Sequence, residues 1–378
     1  METLTTADVR AMRLRAQGLA GPRARDAAGA TRRAAALQAQ DAKACRLQLR
    51  VRSAGLTAAA MDAACAAGPD GPAVVRTWLM RGTLHAVPAQ DARWMTGLLG
   101  QRVADSQRGR RQQLGLDDET CARALPALEK ALAGQPPMLR DELVARLGEF
   151  GIALDPRSQA PAHLLLYAAG SGLVCRGPEA AGDKATYVLR EEWLRGVDGP
   201  DLAGDEALAE LAARHAAAYG PVGEGDFARW SGLPLGQARR GIRAAAGDGR
   251  LTPVLGPGGE PLWVRAGSAP PDGPLPVRLT GHFDPYLLGY RDRDLLLAPS
   301  FATRIATGGG LLMPCVLVDG AVAAAWRHEW RGAGRLEVRV EPLGGALPAA
   351  ARAGVDEEVA DLARFLGVDA TWRLVDHG

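Results

Sequence analysis

The spacing of apolar residues shifts along the chain between helical and alternating, and each shift marks an element. Val9, Met12 and Leu14 are among the apolar positions of a first helix that Thr6 can cap and that runs to about Gln17. A second helix covers about Arg25 to Leu37. A third runs from Ala42 to about Val51 through Cys45, Leu47 and Leu49. Thr57 caps another through Met61 and Cys65, and Gly68-Pro69 stops it. The segment from Val74 to Leu79 then alternates as a strand does. Arg81-Gly82 turns, and Thr83 to Val87 returns as a second strand. Helices closed by a hairpin describe a winged-helix unit.

The pattern recurs twice. Glu119 to Ala133, Leu139 to Phe150 and Ala162 to Ala169 read as helices, followed by strands at Leu173–Cys175 and Thr186–Leu189. The third copy is the clearest. A helix capped by Asp205 reaches Tyr219, a short one covers Gly223 to Trp230, and a longer one covers Leu235 to Ala246. Leu251–Leu255, a Gly-Pro-Gly-Gly turn and Leu262–Val264 complete its wing. Internal repetition is therefore the main architectural signal. A Pro/Gly-rich linker from about Ala266 to Pro276 precedes a change of character. Leu295–Leu297, Cys315–Val318, Ala321–Trp326 and Leu336–Val340 read as strands, with Asp319-Gly320 as a hairpin turn. A helix over Asp356–Leu366 and a strand over Trp372–Val375 follow. The expected fold is α+β: winged-helix units at residues 1–100, 101–200 and 201–270, then a β-rich domain or partial barrel at 271–378.

Composition narrows the classes. The 378 residues, 47% hydrophobic and 23% charged, suit a globular protein of two to four domains. The net charge of +2 hides an imbalance: three of the 45 basic residues are lysine (Lys43, Lys130, Lys184), leaving 42 arginines. Arginine suits phosphate and carboxylate recognition; biased codon usage, with equally heavy Ala and Gly, accounts for the excess as well. No apolar run approaches the roughly 18 residues of a membrane span. The N-terminus lacks the apolar core of a signal peptide. Cys45, Cys65, Cys121, Cys175 and Cys315 are odd in number and far apart, as reduced core thiols of a cytoplasmic protein would be.

Candidate chemistry is sparse. There is no phosphate-binding P-loop and no Gly-x-Ser-x-Gly elbow. The histidines (His85, His163, His215, His282, His328, His377) form no His-x-x-x-His pair, so no metal site or cofactor is expected. His282-Phe283-Asp284 reads either as a metal-ligand group or as a structural His–Asp hydrogen bond. His85, at the end of the first wing, reads either as a half-buried structural residue or as a contact to a phosphate or base. Arg102, Arg108, Arg110 and Arg111 form one basic cluster. Arg239, Arg240 and Arg243 lie where a recognition helix would, and Arg291 and Arg293 flank Asp292. Each is either a solvated face or a set of DNA phosphate contacts.

Gln38-Ala39-Gln40 lies between two Ala/Arg-rich helices. Side chains two apart share a face only on an extended chain. A common site for both glutamines therefore requires a break in the helix, with Ala39 turned inward. Asp41 gives a reason for such a break, as the N-cap of a helix starting at Ala42. The alternative is two solvated glutamines on one continuous helix.

Four motifs stand in order: Gln38-Ala39-Gln40; Arg76 through Arg81 to His85; Phe283-Asp284-Pro285-Tyr286 through Gly289 to Arg293; and Val318-Asp319-Gly320 with Trp326. Together they resemble the winged-helix DNA glycosylases of the AlkZ type, over nearly the whole chain. The resemblance implies tandem winged-helix units and a C-terminal β-domain in a C-shaped body around DNA. It implies catalysis by Gln38 and Gln40, and a substrate of DNA with alkylated or crosslinked bases. A related branch has aspartate at the second motif position. Gln40 implies the branch that unhooks azinomycin-like crosslinks, in repair or self-resistance. A monofunctional, monomeric enzyme is expected, with Lys43 turned to solvent. DNA contacts are expected from Arg81, His85, Arg108, Arg110, Arg111, Arg239, Arg240, Arg243, Arg291, Arg293 and Arg304. Arg304 neighbours a Gly308-Gly309-Gly310 segment that reads as a hairpin tip probing a groove or as a plain loop. The competing readings are a winged-helix transcriptional regulator without catalysis and a structural DNA-bridging protein.

Overall fold

The computed structural model describes residues 1–308 and 310–375; Gly309 and His377, named above, lie outside the described residues. The fold is α+β. Among the described residues no helix is long and apolar enough to cross a membrane. All five cysteines are buried and none forms a disulfide. Internal contacts divide the chain into Met1–Met61 with Leu208–Gly378, and Asp62–Ala207. These cuts differ from the four consecutive segments expected above.

In Asp62–Ala207 the first hairpin, Val74–Trp78 with Leu84–Pro88, does not stand alone. Arg76 pairs with Arg176, so Val74–Trp78 joins one sheet with Val174–Arg176, Thr186–Leu189 and Met138–Leu139. The wings expected at 1–100 and 101–200 are thus parts of one sheet. Helix Ala92–Ser106 was not expected from the sequence, because it follows the hairpin with no capping side-chain bond. It packs on helix Ala160–Gly170 so closely that a Cβ on Gly100 would stand 2.1 Å from the Gly170 carbonyl oxygen.

In the other unit the element order of the third copy is complete. Helices Gly204–Tyr219, Glu224–Ser231 and Leu235–Gly247 precede the hairpin Leu251–Leu255 with Pro261–Arg265. Val222 bridges Trp263 as a minimal first strand between the first two helices. Met138–Leu139 has the equivalent place in its copy, between helices Asp118–Leu132 and Arg140–Glu149. In the first copy that place falls to Leu37–Gln38, between helices Ala27–Arg33 and Ala42–Arg52.

The C-terminal region is an open five-stranded sheet, not a barrel. Its order is Asp369–Leu374, Arg335–Pro342, Ala321–Trp330, Cys315–Val318 and Arg278–Thr280. The first two strands are parallel, joined by helix Ala349–Leu366, which buries Val355, Val359 and Leu362 against Val338 and Val340. Leu295–Leu297 is a turn rather than a strand. Leu296 and Leu297 both donate to the Arg293 carbonyl, and both are buried. A three-residue apolar run carries no period, so burial alone made it resemble a strand.

Candidate functional site

The chain breaks from helix where the two glutamines require it. Helix Ala27–Arg33 ends at Ala34, and Ala35 follows with φ of 57°, outside the helical region. Leu37–Gln38 is extended. Ala39 is buried at 2% exposure, while Gln38 and Gln40 lie on the opposite side, Gln40 exposed and Gln38 at 9%. The Gln38 side-chain Nε2 donates to Gln40 Oε1 at 3.0 Å. That bond uses an N–H of Gln38 and leaves its carbonyl oxygen as an acceptor. Asp41 accepts from the Ala44 amide at 2.8 Å, and helix Ala42–Arg52 begins beyond it. Lys43 is on the exposed side of its first turn.

That helix anchors the joint through buried polar groups. Gln48, fully buried, donates from Nε2 to the carbonyls of Gln38 (3.1 Å) and His282 (3.2 Å). Arg52 forms a two-pronged bond to Asp284, at 2.9 and 2.7 Å, and reaches Gln17 at 2.7 Å. Arg50 holds Glu358, Asp361 and the Leu279 carbonyl. Breaking one partner of such a buried pair costs about 3–5 kcal/mol. The His282–Asp284 hydrogen bond does not form: Asp284 is taken by Arg52, and His282 Nδ1 meets the Leu312 carbonyl at 3.0 Å. Among the described residues no cluster of His, Cys, Asp and Glu could hold a metal ion. Gln48, Arg50, Arg52 and Asp284 were not singled out by sequence as a support. The available signal was three long polar side chains among the apolar positions of one helix.

The remaining motif residues serve the same frame. Tyr286 donates to the Gly320 carbonyl at 2.7 Å, Tyr290 to Tyr219 at 2.9 Å, and Trp326 to Thr280 at 2.8 Å. Asp319 and Gly320 both have positive φ, 49° and 72°, as a tight hairpin turn demands.

The expected DNA contacts divide by exposure. His85 is 3% exposed, its Nδ1 is 2.9 Å from the Thr83 carbonyl, and burial with Arg81 nearby pushes its pKa down to about 3. Arg111 is 2% exposed, bonded to the Ala104 carbonyl and seated 4.6 Å over the Tyr167 ring. Both are enclosed, so neither is placed to meet DNA in this conformation. Arg81, Arg108, Arg110, Arg239, Arg240, Arg243 and Arg291 are exposed. Arg108 pairs with Asp118, Arg239 with Glu224, and Arg110 bonds Gln159. Arg293 is half-buried, donating to the Leu287 carbonyl at 2.6 Å, with its pKa lowered by burial and then by Arg229. Arg304, half-buried, pairs with Glu341 beside the short hairpin of Ala306–Gly308 and Leu311–Leu312.

Comparison with known proteins extends this picture. A model of the family described as DNA glycosylase AlkZ-like matches residues 31–365, a span that contains the glutamine joint, its support helix and four of the five strands of the C-terminal sheet. The chain belongs to that family. It is a DNA glycosylase, an enzyme that hydrolyses N-glycosidic bonds. Family membership thus favours the enzyme over the transcriptional regulator. An interstrand DNA cross-link repair glycosylase of Streptomyces sahachiroi is 29% identical over 313 residues, covering 78% of this chain and 80% of that relative. The solved structure of Streptomyces sahachiroi DNA glycosylase AlkZ matches with a TM-score of 0.82 at 26% identity, covering 99% of this chain and 100% of that one.

Proposed function

We propose that the enzyme hydrolyses the glycosidic bond of N7-alkylated purines and unhooks interstrand crosslinks of the azinomycin kind, with Gln38 and Gln40 as its catalytic residues. The observation that carries this reading is the meeting of two uncharged amides at 3.0 Å on an extended joint. N7 alkylation places positive charge on the base, so departure of the base needs no strong acid. What remains is to hold a water at the anomeric carbon and to favour a cationic sugar. Amide oxygens do both: they accept from water and turn a negative dipole toward the developing charge. Amides are weak bases, so the rate rests on positioning and electrostatics. This confines the enzyme to lesions that are already cationic.

The exposed position of Lys43 favours hydrolysis without a lyase step, since Schiff-base chemistry needs an amine at the site. Exposed Arg81, Arg108, Arg110, Arg239, Arg240, Arg243 and Arg291, with Arg293 and Arg304, are the proposed DNA contacts. The proposed setting is a monomer in the cytoplasm, acting in crosslink repair or in self-resistance. Purified protein is to be incubated with duplex carrying 7-methylguanine and with an azinomycin-crosslinked duplex, then assayed for abasic sites. Abasic sites in both, with no strand cleavage by the protein itself, are expected. Intact glycosidic bonds in both would refute the reading.

A further inference from the structure

Three adjoining cavities, of about 300, 650 and 430 Å³, lie within the unit formed by Met1–Met61 and Leu208–Gly378. All three share Ala217 and Arg265, so they make one continuous groove. Its walls come from helix Thr6–Ala16, helix Ala27–Arg33 with the residues before it, helix Gly204–Tyr219, and the end of strand Pro261–Arg265.

The groove is cationic. Seven arginines line it, against one aspartate and one glutamate. The carboxylates are already engaged: Asp26 caps the Gly29 amide at 2.6 Å, and Glu210 pairs with Arg214 and Arg250 at 2.6 and 2.8 Å. Arg15, Arg25, Arg32, Arg33 and Arg265 are exposed and have no carboxylate partner among the described residues. Seven less two leaves a surplus of five here, whereas the whole chain carries +2. The rest of the protein is therefore net negative, and the field concentrates in this groove.

We infer that the groove holds the sugar-phosphate backbone of duplex DNA. Arginine presents planar donors that match phosphate oxygens two at a time. A single small anion would satisfy only part of a row spread over four segments, whereas successive phosphates would satisfy the row. None of these arginines is among the DNA contacts proposed above. Helix Ala27–Arg33 carries Arg32 and Arg33 in the groove and leads within five residues of chain to Gln38, so the groove and the glutamine joint share one helix. The inference rests on the chain acting on DNA, but its test reads binding and not base release. Loss of one reading therefore leaves the other standing.

Affinity of the full chain for undamaged duplex is to be measured against salt concentration. Each phosphate contact contributes about 0.9 to the log–log slope. The variant Arg15→Gln/Arg33→Gln/Arg265→Gln is expected to flatten the slope by about two to three and to weaken binding at least tenfold in low salt. The lysine triple at the same positions keeps the slope near wild type, and Arg265→Gln alone lowers it by about one. A control triple, Arg123→Gln/Arg157→Gln/Arg335→Gln, removes equal charge elsewhere. A wild-type slope in the groove triple, or an equal loss in the control triple, would overturn the inference.

Discussion

His215 is packed among Tyr219, Phe227 and Trp230, with ring centroids 4.9, 5.3 and 5.0 Å away. Burial, then a bond with the Gly289 backbone and the charge of Arg13, set its pKa; burial wins and holds it down to about 3, against 6.5 in the unfolded chain. Between those values the unfolded state binds the proton and the folded state does not. Stability from this residue is complete above pH 6.5 and falls as pH drops toward 3. From pH 6.5 to 5 the loss is about 2 kcal/mol, at 1.36 kcal/mol for each pH unit. His85, also near 3, adds a loss of the same sign. In His215→Phe the difference in unfolding free energy between pH 7 and pH 5 should shrink by about 2 kcal/mol, read from urea midpoints at both pH values. An undiminished difference would contradict the assignment. The residue scale is also where sequence spoke least. Nothing in the spacing of Gln48, Arg50 and Arg52 tells a buried polar support from a solvated face, because each has a partner more than 200 residues away, among Leu279, His282, Asp284 and Glu358.

At the level of elements, much was legible where a local device sets the boundary. Asp41 announced the start of helix Ala42–Arg52, and Asp319-Gly320 announced a hairpin, because caps and tight turns depend on a few neighbouring residues. Helix Ala27–Arg33 ended four residues earlier than its apolar pattern suggested, since the joint after it needs extended chain for the glutamines. Asp41 thus fixes both a helix start and the end of the glutamine segment. Asp41→Ala should lower stability by about 1 kcal/mol, with Asp41→Asn restoring most of it. Excision should fall further in Asp41→Ala than its duplex binding does, because Gln40 loses the helix boundary beside it that keeps it out of the helix. Denaturant midpoints, excision rates and duplex affinities measured together check this. A stability loss with excision untouched would show that the cap serves the helix and not the site.

For the molecule as a whole, the helix–helix–helix–hairpin order of the repeats was readable, but the grouping of the repeats was not. Arg76 pairs with Arg176 across 100 residues, and that bridge merges two wings into one sheet. Periodicity reports which residues face a core; it does not report which hairpin they share. The site followed the same rule. Spacing alone left Gln38 and Gln40 as two ordinary polar residues, and the ordered set of four motifs singled them out. In the folded chain Tyr286–Gly320 ties the third motif to the fourth, and Gln48 bonds the Gln38 carbonyl of the first and the His282 carbonyl just before the third, so three of those motifs share one frame.

Single-turnover release of 7-methylguanine from duplex by Gln38→Ala, Gln40→Ala and the double variant tests the proposed catalytic pair most directly. In the proposed mechanism the two amides orient one water and act as a unit, so each single change should slow release about 100-fold or more, with duplex affinity kept and the double variant little slower than either. Release near the wild-type rate in both single variants would contradict the account.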